Sequence, residues 1–129
     1  MIDKNKLMDA VTCKDDDNIL EVSRILRDTQ TRHLIVVDEN RMPAGIISSV
    51  DINNRVVAEE KNTKETKAEE IMTKPIEFVD VNSSYDDAYK KMLEVGTYSL
   101  PVTENGKLIG LVDFNLLFKK CKDVAESKK

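Results

Sequence analysis

A hydroxyl and a carboxylate follow an apolar run at a spacing that suits ligand binding. In GIISSVDI, Ser48 ends the run and Asp51 comes three residues later. We expect Ser48 to end a strand and Ser49 to cap the next helix, which places Asp51 in the first turn, where backbone N–H groups are unpaired. A carboxylate accepts hydrogen bonds on two oxygens, so Asp51 is suited to the adjacent hydroxyls of a ribose. The alternative, favoured by the spacing alone, is that Asp51 complements the helix dipole and Ser48 satisfies a neighbouring amide.

Two similar halves supply the elements that must position these residues. A shift of 65 residues lays DENRMPAGII over TENGKLIGLV and matches Gly45 with Gly110, which indicates an internal duplication. Each half has an amphipathic helix, two apolar runs joined by turn residues, which predict a hairpin of two strands, and a second helix. The second helices are predicted from Val50 to about Glu59 and from Phe114 to about Val124. With strands at 10–13 and 76–79, the sequence predicts βαββα twice.

The predicted fold class is α/β in the broad sense, of the α+β type. Neither half, at about 60 residues, buries enough surface alone, so we expect the two tandem βαββα repeats to pack sheet to sheet with pseudo-twofold symmetry. The groove between them is the predicted ligand site. We interpret residues 1–129 as one module, with a first repeat at 7–59, a charged, solvated linker at 60–67 and a second repeat at 68–125.

The composition argues against several classes of function. The formal charge is −4 and basic residues are scattered among acidic ones, which disfavours nucleic acid as a partner. No apolar run reaches the roughly 20 residues of a membrane helix, and the start lacks the apolar stretch of a secretory signal. One histidine and two remote cysteines, Cys13 and Cys121, form no metal motif, and phosphate-loop and HExxH motifs are absent. We therefore expect a cytoplasmic protein that is not an enzyme, holds no metal and binds no membrane.

The duplicated pattern resembles the CBS-domain family. The resemblance is carried by GIISSVD in the first repeat, by SLPV in the second, and by the repeated βαββα order, and it spans Leu7 to Cys121. In that family two repeats form one module, often called a Bateman module, which commonly binds AMP, ADP, ATP or S-adenosylmethionine and regulates an attached or partner protein. The resemblance implies a regulatory module for AMP, ADP or ATP, with S-adenosylmethionine as a further candidate and an unidentified regulated protein.

The resemblance assigns roles to residues of the first repeat. Ser48 and Asp51 would hold the ribose, and Arg32 and His33 would contact phosphate. The chemistry is suitable, because Arg32 carries a permanent forked donor and His33 a donor that strengthens on protonation. The alternatives are a solvated charge at Arg32 and a structural histidine at His33.

The second repeat would contribute to the adenine and departs from the pattern elsewhere. By resemblance, Ile76, Glu77 and Tyr98 would lie along the base, although Tyr98 has the alternative of packing against its own repeat. Asp113 stands where the first repeat has a serine, and Leu116 where it has the ribose carboxylate. We therefore expect one competent site, with the other empty or altered.

A second hypothesis is a ligand-free dimerisation or scaffold domain. Two apolar helix stripes, one with Ile52 and Val56 and the other with Leu117 and Phe118, exceed what one small core is expected to cover. A homodimer of modules, common in the family that the chain resembles, would bury the surplus. An enzyme is the weakest alternative, because the fold already accounts for the residues that it would need.

Overall fold

The α+β fold class with two βαββα repeats is confirmed. The computed structural model describes the backbone of residues 1–127 and the side chains of residues 1–121, so the last two residues of the predicted 1–129 module lie outside the described residues. Within residues 1–127 there are two three-stranded sheets and five α-helices. The chain divides into two compact units, one of residues 10–76 and the other of residues 1–9 with the chain from Glu77 onward.

The first unit contains the sheet of the first repeat and three helices. In chain order its elements are β1 (Thr12–Lys14), α1 (Ile19–Thr29), β2 (His33–Val37), β3 (Pro43–Ser48), α2 (Ser49–Ile52) and α3 (Ala68–Ile71). The sheet order is β1-β2-β3, with β1 parallel to β2. β2 and β3 form the predicted hairpin, in which His33 lies opposite Ser48. After α2 the helix continues as a π-helical turn, Asn53–Val57. The observed helix therefore ends two residues before the predicted end at Glu59.

Helix α1 is capped at both ends and has a buried stripe at helical spacing. The side chain of Asn18 accepts from the Glu21 N–H, and Gln30 ends the helix in the left-handed conformation at φ 56°. This pattern satisfies orphan backbone groups at both ends. The buried residues recur at helical spacing: Ile19, Val22 and Leu26. They join the apolar residues of β2 and β3 in one core, which anchors both strand ends near Ser48.

The second unit repeats this order. Its elements are β4 (Val79–Asp80), α4 (Tyr85–Val95), β5 (Ser99–Glu104), β6 (Lys107–Asp113) and α5 (Phe114–Ser127). The sheet order is β4-β5-β6, again with a parallel pair followed by a hairpin. α4 is the predicted amphipathic helix of the second half, and it buries Ala88 and Met92.

The predicted strand at 76–79 is wrong in its bounds, because β4 begins only at Val79. Val79 is the first residue paired in register, with Val102 of β5. The carbonyl of the preceding Phe78 accepts instead from the Lys91 ammonium at 2.9 Å. A side chain therefore takes the place of a ladder partner just before the strand, and the apolar character of Ile76 and Phe78 does not extend the sheet.

The apolar helix stripes are covered more fully than the sequence predicts. Val56 and Leu117 are completely buried, so their assignment to surplus surface is wrong. Each closes the core of its own unit. Phe118 of the predicted stripes is half-exposed, as expected, whereas Val50 and Val57, which are more than half exposed, were not named in those stripes.

Each sheet also receives one β-bridge from a segment near the start of the other repeat in sequence. Thr73 pairs with Ile46 of β3, and Met8 pairs with Leu111 of β6, each through two backbone hydrogen bonds of 2.9–3.0 Å. The 65-residue shift maps Met8 onto Thr73 and Ile46 onto Leu111, so the two bridges occupy equivalent positions in the duplication. The bridges were not predicted, and they place residues 1–9 with the second sheet and residues 72–73 with the first.

Two crossing segments, residues 72–73 beside the first sheet and residues 7–8 beside the second, explain the matched glycines. A Cβ at Gly45 would lie 2.6 Å from Met72 Sδ and 2.9 Å from the Thr73 oxygen, and a Cβ at Gly110 would lie 2.8 Å from the Met8 oxygen. Such distances are shorter than side chains tolerate. Glycine is therefore required at both positions by the close approach of a second backbone.

We expect Gly45→Ala and Gly110→Ala each to lower the free energy of unfolding by about 1–3 kcal/mol, because the added methyl overpacks the crossing. Urea denaturation measures the loss. Shortening Met72 to alanine in the Gly45→Ala background should recover part of it, as a double-mutant cycle would show. A Gly45→Ala variant as stable as the wild type would contradict the steric explanation.

Candidate functional site

Ser48 and Asp51 bond to each other at the start of α2. The Ser48 hydroxyl accepts from the Asp51 N–H at 3.1 Å, and Asp51 Oδ2 accepts from the Ser48 N–H at 2.9 Å. This reciprocal arrangement is a capping box. Ser48 is thus the cap, and the prediction that Ser49 caps the helix is wrong. The reason is that Ser48 keeps the extended backbone of the strand end, φ −109°, from which its hydroxyl reaches the first turn.

The capping box leaves part of the carboxylate of Asp51 unused. Oδ2 is engaged with the Ser48 N–H, whereas Oδ1 lies 3.9 Å from Arg55 Nη2, a distance too long for a hydrogen bond. Each carboxylate oxygen has about two acceptor positions, and the side chain is 19% exposed. Asp51 can therefore cap the helix and still accept donors from a ligand.

The hairpin brings the predicted phosphate residues next to Ser48. His33 lies opposite Ser48 in the register of β2 and β3. The Ser49 N–H donates to the carbonyl of Arg32 at 2.9 Å. The Arg32 and His33 residues are exposed. Two exposed basic residues therefore adjoin Ser48 and Ser49 through the backbone pairing at this strand end.

The three residues predicted along the adenine are distributed over both units. Ile76 is half-buried at the end of the first unit. Glu77 belongs to the second unit, where its Oε2 lies 3.2 Å from Lys91 Nζ. Tyr98 is 79% exposed and meets the Phe114 ring edge-on, with 6.0 Å between centroids. The joint participation of these residues in one ligand site stays a prediction.

The second repeat keeps the capping geometry but not the ligand groups. Asp113 Oδ1 accepts from the Leu116 N–H at 2.8 Å, as Ser48 does in the first repeat. The Phe114 N–H donates to the Tyr98 carbonyl at 2.7 Å, which matches the bond between Ser49 and Arg32. Because Leu116 has no carboxylate, no return bond can form. Helix capping alone thus accounts for Asp113.

A cavity of about 730 Å³ lies at the other end of the first sheet. Its lining comes from two segments, residues 12–17 and 37–41. Two of its carboxylates already bind backbone amides, since Asp17 accepts from Lys14 and Asp38 accepts from the two amides of Asn40 and Met42, each at 2.9 Å. An acidic lining repels phosphate, so this cavity is a poor nucleotide site.

The thiol of Cys13 adds no reactivity to that cavity. Burial, followed by the charges of Asp17 and Asp15, raises the pKa of the Cys13 thiol to about 12. A thiol with this pKa stays protonated near neutral pH, whereas the thiolate is the nucleophile and the metal ligand. Among the residues that the structure describes, no cluster of His, Cys, Asp and Glu side chains is arranged to hold a metal ion.

A smaller cavity of about 310 Å³ adjoins the strand end with Ser48. It is lined by Ser23, Leu26, Arg27, Thr31, Ser49 and Ile52. It lies between α1 and the start of α2, next to the bond between Ser49 and Arg32.

Over the described part of the chain, no helix combines the length and the apolar character that crossing a bilayer requires.

Comparison with known proteins gives consistent matches. A family model described as the CBS domain matches residues 5–58 and again residues 68–121. An uncharacterized protein of Methanopyrus kandleri is 32% identical over 105 residues, which are 81% of this chain and 54% of that protein. A CBS domain-containing protein of Arabidopsis thaliana is 33% identical over 108 residues, which are 84% of this chain and 20% of that protein.

The chain therefore spans about half the length of the first relative and a fifth of the second. Among solved structures, a protein with CBS domains from Burkholderia ambifaria is 28% identical with a TM-score of 0.65, and the match covers 92% of this chain and 86% of that one. The match extends over both compact units.

Proposed function

Since this chain belongs to the CBS-domain family, as a tandem pair of CBS domains, we propose that it is a non-catalytic regulatory module that binds AMP, ADP or ATP mainly through Ser48 and Asp51. The tandem pair confirms the resemblance found in the sequence. The ligand is a proposal that rests on the chemistry of the first repeat.

The observation that carries this proposal is that one oxygen of the Asp51 carboxylate is held in place and the other can still accept hydrogen bonds. The position of the carboxylate is fixed by the Ser48 N–H at one oxygen, while the other oxygen has free acceptor capacity. A ribose offers two adjacent hydroxyl donors, and a carboxylate held in one orientation accepts them without losing further side-chain freedom. Charge-assisted hydrogen bonds of this kind are stronger than neutral ones.

The neighbouring basic residues favour a phosphorylated ligand. Arg32 and His33 are exposed beside Ser48, and an arginine fork suits phosphate oxygens. S-adenosylmethionine would bring a positive charge to the same place and is the less favoured candidate. Ile76, Glu77 and Tyr98 remain the proposed adenine contacts, and a homodimer of modules remains the proposed assembly.

We expect one adenosine nucleotide to raise the unfolding temperature of the protein. At a ligand concentration 100 times the Kd, one site adds about 2.7 kcal/mol to the free energy of unfolding, which is a shift of several degrees for a chain of this size. Differential scanning fluorimetry with AMP, ADP, ATP, S-adenosylmethionine and NAD measures the shift. If none of the five ligands moves the transition, the proposed function is wrong.

The capping box also supports a second candidate, a ligand-free dimerisation domain. In this interpretation Ser48 and Asp51 serve only α2, and the exposed Val50 and Val57 are covered by a second copy. Sedimentation of the protein over a range of concentrations tests it. A monomer at every concentration would exclude this candidate, whereas a dimer that no nucleotide stabilises would favour it over the first.

A further inference from the structure

Arg55 connects Asp51 to the segment that crosses the first sheet. Its Nη1 donates to the carbonyl of Ile71 at 2.7 Å, and its Nη2 lies 3.9 Å from Asp51 Oδ1. Arg55 comes four residues after Asp51 and lies in the π-helical turn Asn53–Val57. Ile71 ends α3, two residues before Thr73 bridges to β3. One guanidinium thus contacts the ligand-site helix and the start of the crossing segment.

The bond to Ile71 fixes the position of the guanidinium. The last carbonyls of a helix have no partner within the helix, and a cation is favoured at that end. Ile71 is 2% exposed, so its carbonyl is held firmly by the core. Since Arg55 is anchored there, the orientation of its second nitrogen toward Asp51 is set by the fold, although the arginine side chain is 47% exposed.

We propose that Arg55 is a positioning residue that holds Asp51 Oδ1 toward the ribose, an inference that rests on the proposed function. Through this contact Arg55 makes the site prefer ribose over 2′-deoxyribose. Asp51 Oδ2 is held by the Ser48 N–H, and Oδ1 faces the anchored positive charge, so the plane of the carboxylate is defined from both sides. The 3.9 Å separation leaves the lone pairs of Oδ1 for hydroxyl donors. The charge of Arg55 also reduces the cost of covering a carboxylate with a ligand.

Selection at the 2′-position is the property that this arrangement controls. A 2′-deoxyribose lacks one donor, so a fixed acceptor beneath a bound ligand is left unpaired. A carboxylate free to rotate relieves this mismatch and discriminates less. Lysine is a point charge without a fork, so it cannot contact the Ile71 carbonyl and face Asp51 in the same way.

The experiment compares dissociation constants for AMP, ADP and ATP with those for their 2′-deoxy counterparts. The proteins are the wild type, Arg55→Met, Arg55→Lys and the control Arg24→Met, which removes an arginine of similar exposure from its ion pair with Glu21 on α1. For the nucleotide that binds best, we expect the wild type to prefer ribose at least about tenfold. Both Arg55 variants should reduce that ratio by roughly fivefold, and Arg24→Met should leave it unchanged.

The outcomes separate this inference from the proposed function. If the wild type binds a nucleotide and folded Arg55→Met keeps the full preference for ribose, or loses affinity for both sugars equally, the positioning role is overturned and the proposed function stands. If the wild type binds ribose and deoxyribose forms equally, the inference is also overturned. If the wild type binds neither form of any nucleotide, the proposed function itself fails and Arg55 has no ligand to position.

Discussion

Replacing Asp51 with alanine is expected to weaken the binding of adenosine nucleotides roughly a hundredfold while lowering the free energy of unfolding by only about 1 kcal/mol. The first effect follows from removing an ionised acceptor from two ribose hydroxyls, since hydrogen bonds to charged groups contribute about 1.5–3 kcal/mol. The second follows from losing the Asp51 half of the capping box, because caps contribute about 0.5–2 kcal/mol. Isothermal titration calorimetry and urea denaturation measure the two effects separately.

The second repeat offers a matched control for this experiment. Asp113→Ala removes the cap that corresponds to Ser48, in which Asp113 accepts from the Leu116 N–H at 2.8 Å, and should lower the free energy of unfolding by about 0.5–2 kcal/mol, the range for a helix cap. It removes no proposed ribose contact, so nucleotide affinity should remain near that of the wild type. Equal losses of affinity in Asp51→Ala and Asp113→Ala would show that capping, and not ribose binding, explains the residue at position 51.

The start of α2 was predictable because the relevant bonds are local. Ser48 and Asp51 are three residues apart, and both hydrogen bonds between them form within that interval. Hydrophobic periodicity likewise located the main helices and both hairpins, since it reports which face of an element is buried. The misplaced cap at Ser49 is an error of one residue, because Ser48 and Ser49 are adjacent and serine is favoured at the cap position in either case.

The crossing segments were not predictable from periodicity, because their contacts are distant in sequence and involve backbone atoms. The match of Gly45 with Gly110 was visible in the sequence. Glycine shows that something approaches closely, but not which segment does so. Only the structure identifies the neighbours as Thr73 in one unit and Met8 in the other. The contact of Arg55 with Ile71, 16 residues away, was missed for the same reason.

The charged stretch at 60–67 shows a further limit of composition. Its side chains suggested a solvated linker, yet Thr66 is buried, and its carbonyl accepts from the Ile19 N–H at 2.9 Å. The Thr63 carbonyl accepts from Leu20 in the same way at 3.1 Å. These bonds satisfy the first amides of α1, which lack partners within the helix. Charge content describes side chains and does not reveal where backbone donors find acceptors.

The first residues of the chain are expected to be essential for the stability of the second unit. Ile2 is completely buried in the core that contains Val81 and Met92. Its N–H donates to the Val81 carbonyl at 2.8 Å, and the next N–H, of Asp3, donates to the Tyr85 hydroxyl at 2.9 Å. A segment of nine residues therefore supplies part of a core whose other buried members lie between Val79 and Leu117.

Ile2→Ala should accordingly lower the free energy of unfolding by about 2–5 kcal/mol, the range for truncating a buried isoleucine and leaving a cavity. Urea denaturation gives the loss, with Lys6→Ala as the control, because Lys6 is exposed in the same segment and exposed substitutions usually change stability by less than about 0.5 kcal/mol. An Ile2→Ala variant with unchanged stability would mean that residues 1–9 do not belong to this core in solution. A large loss would establish that the second CBS repeat depends on chain that precedes the first.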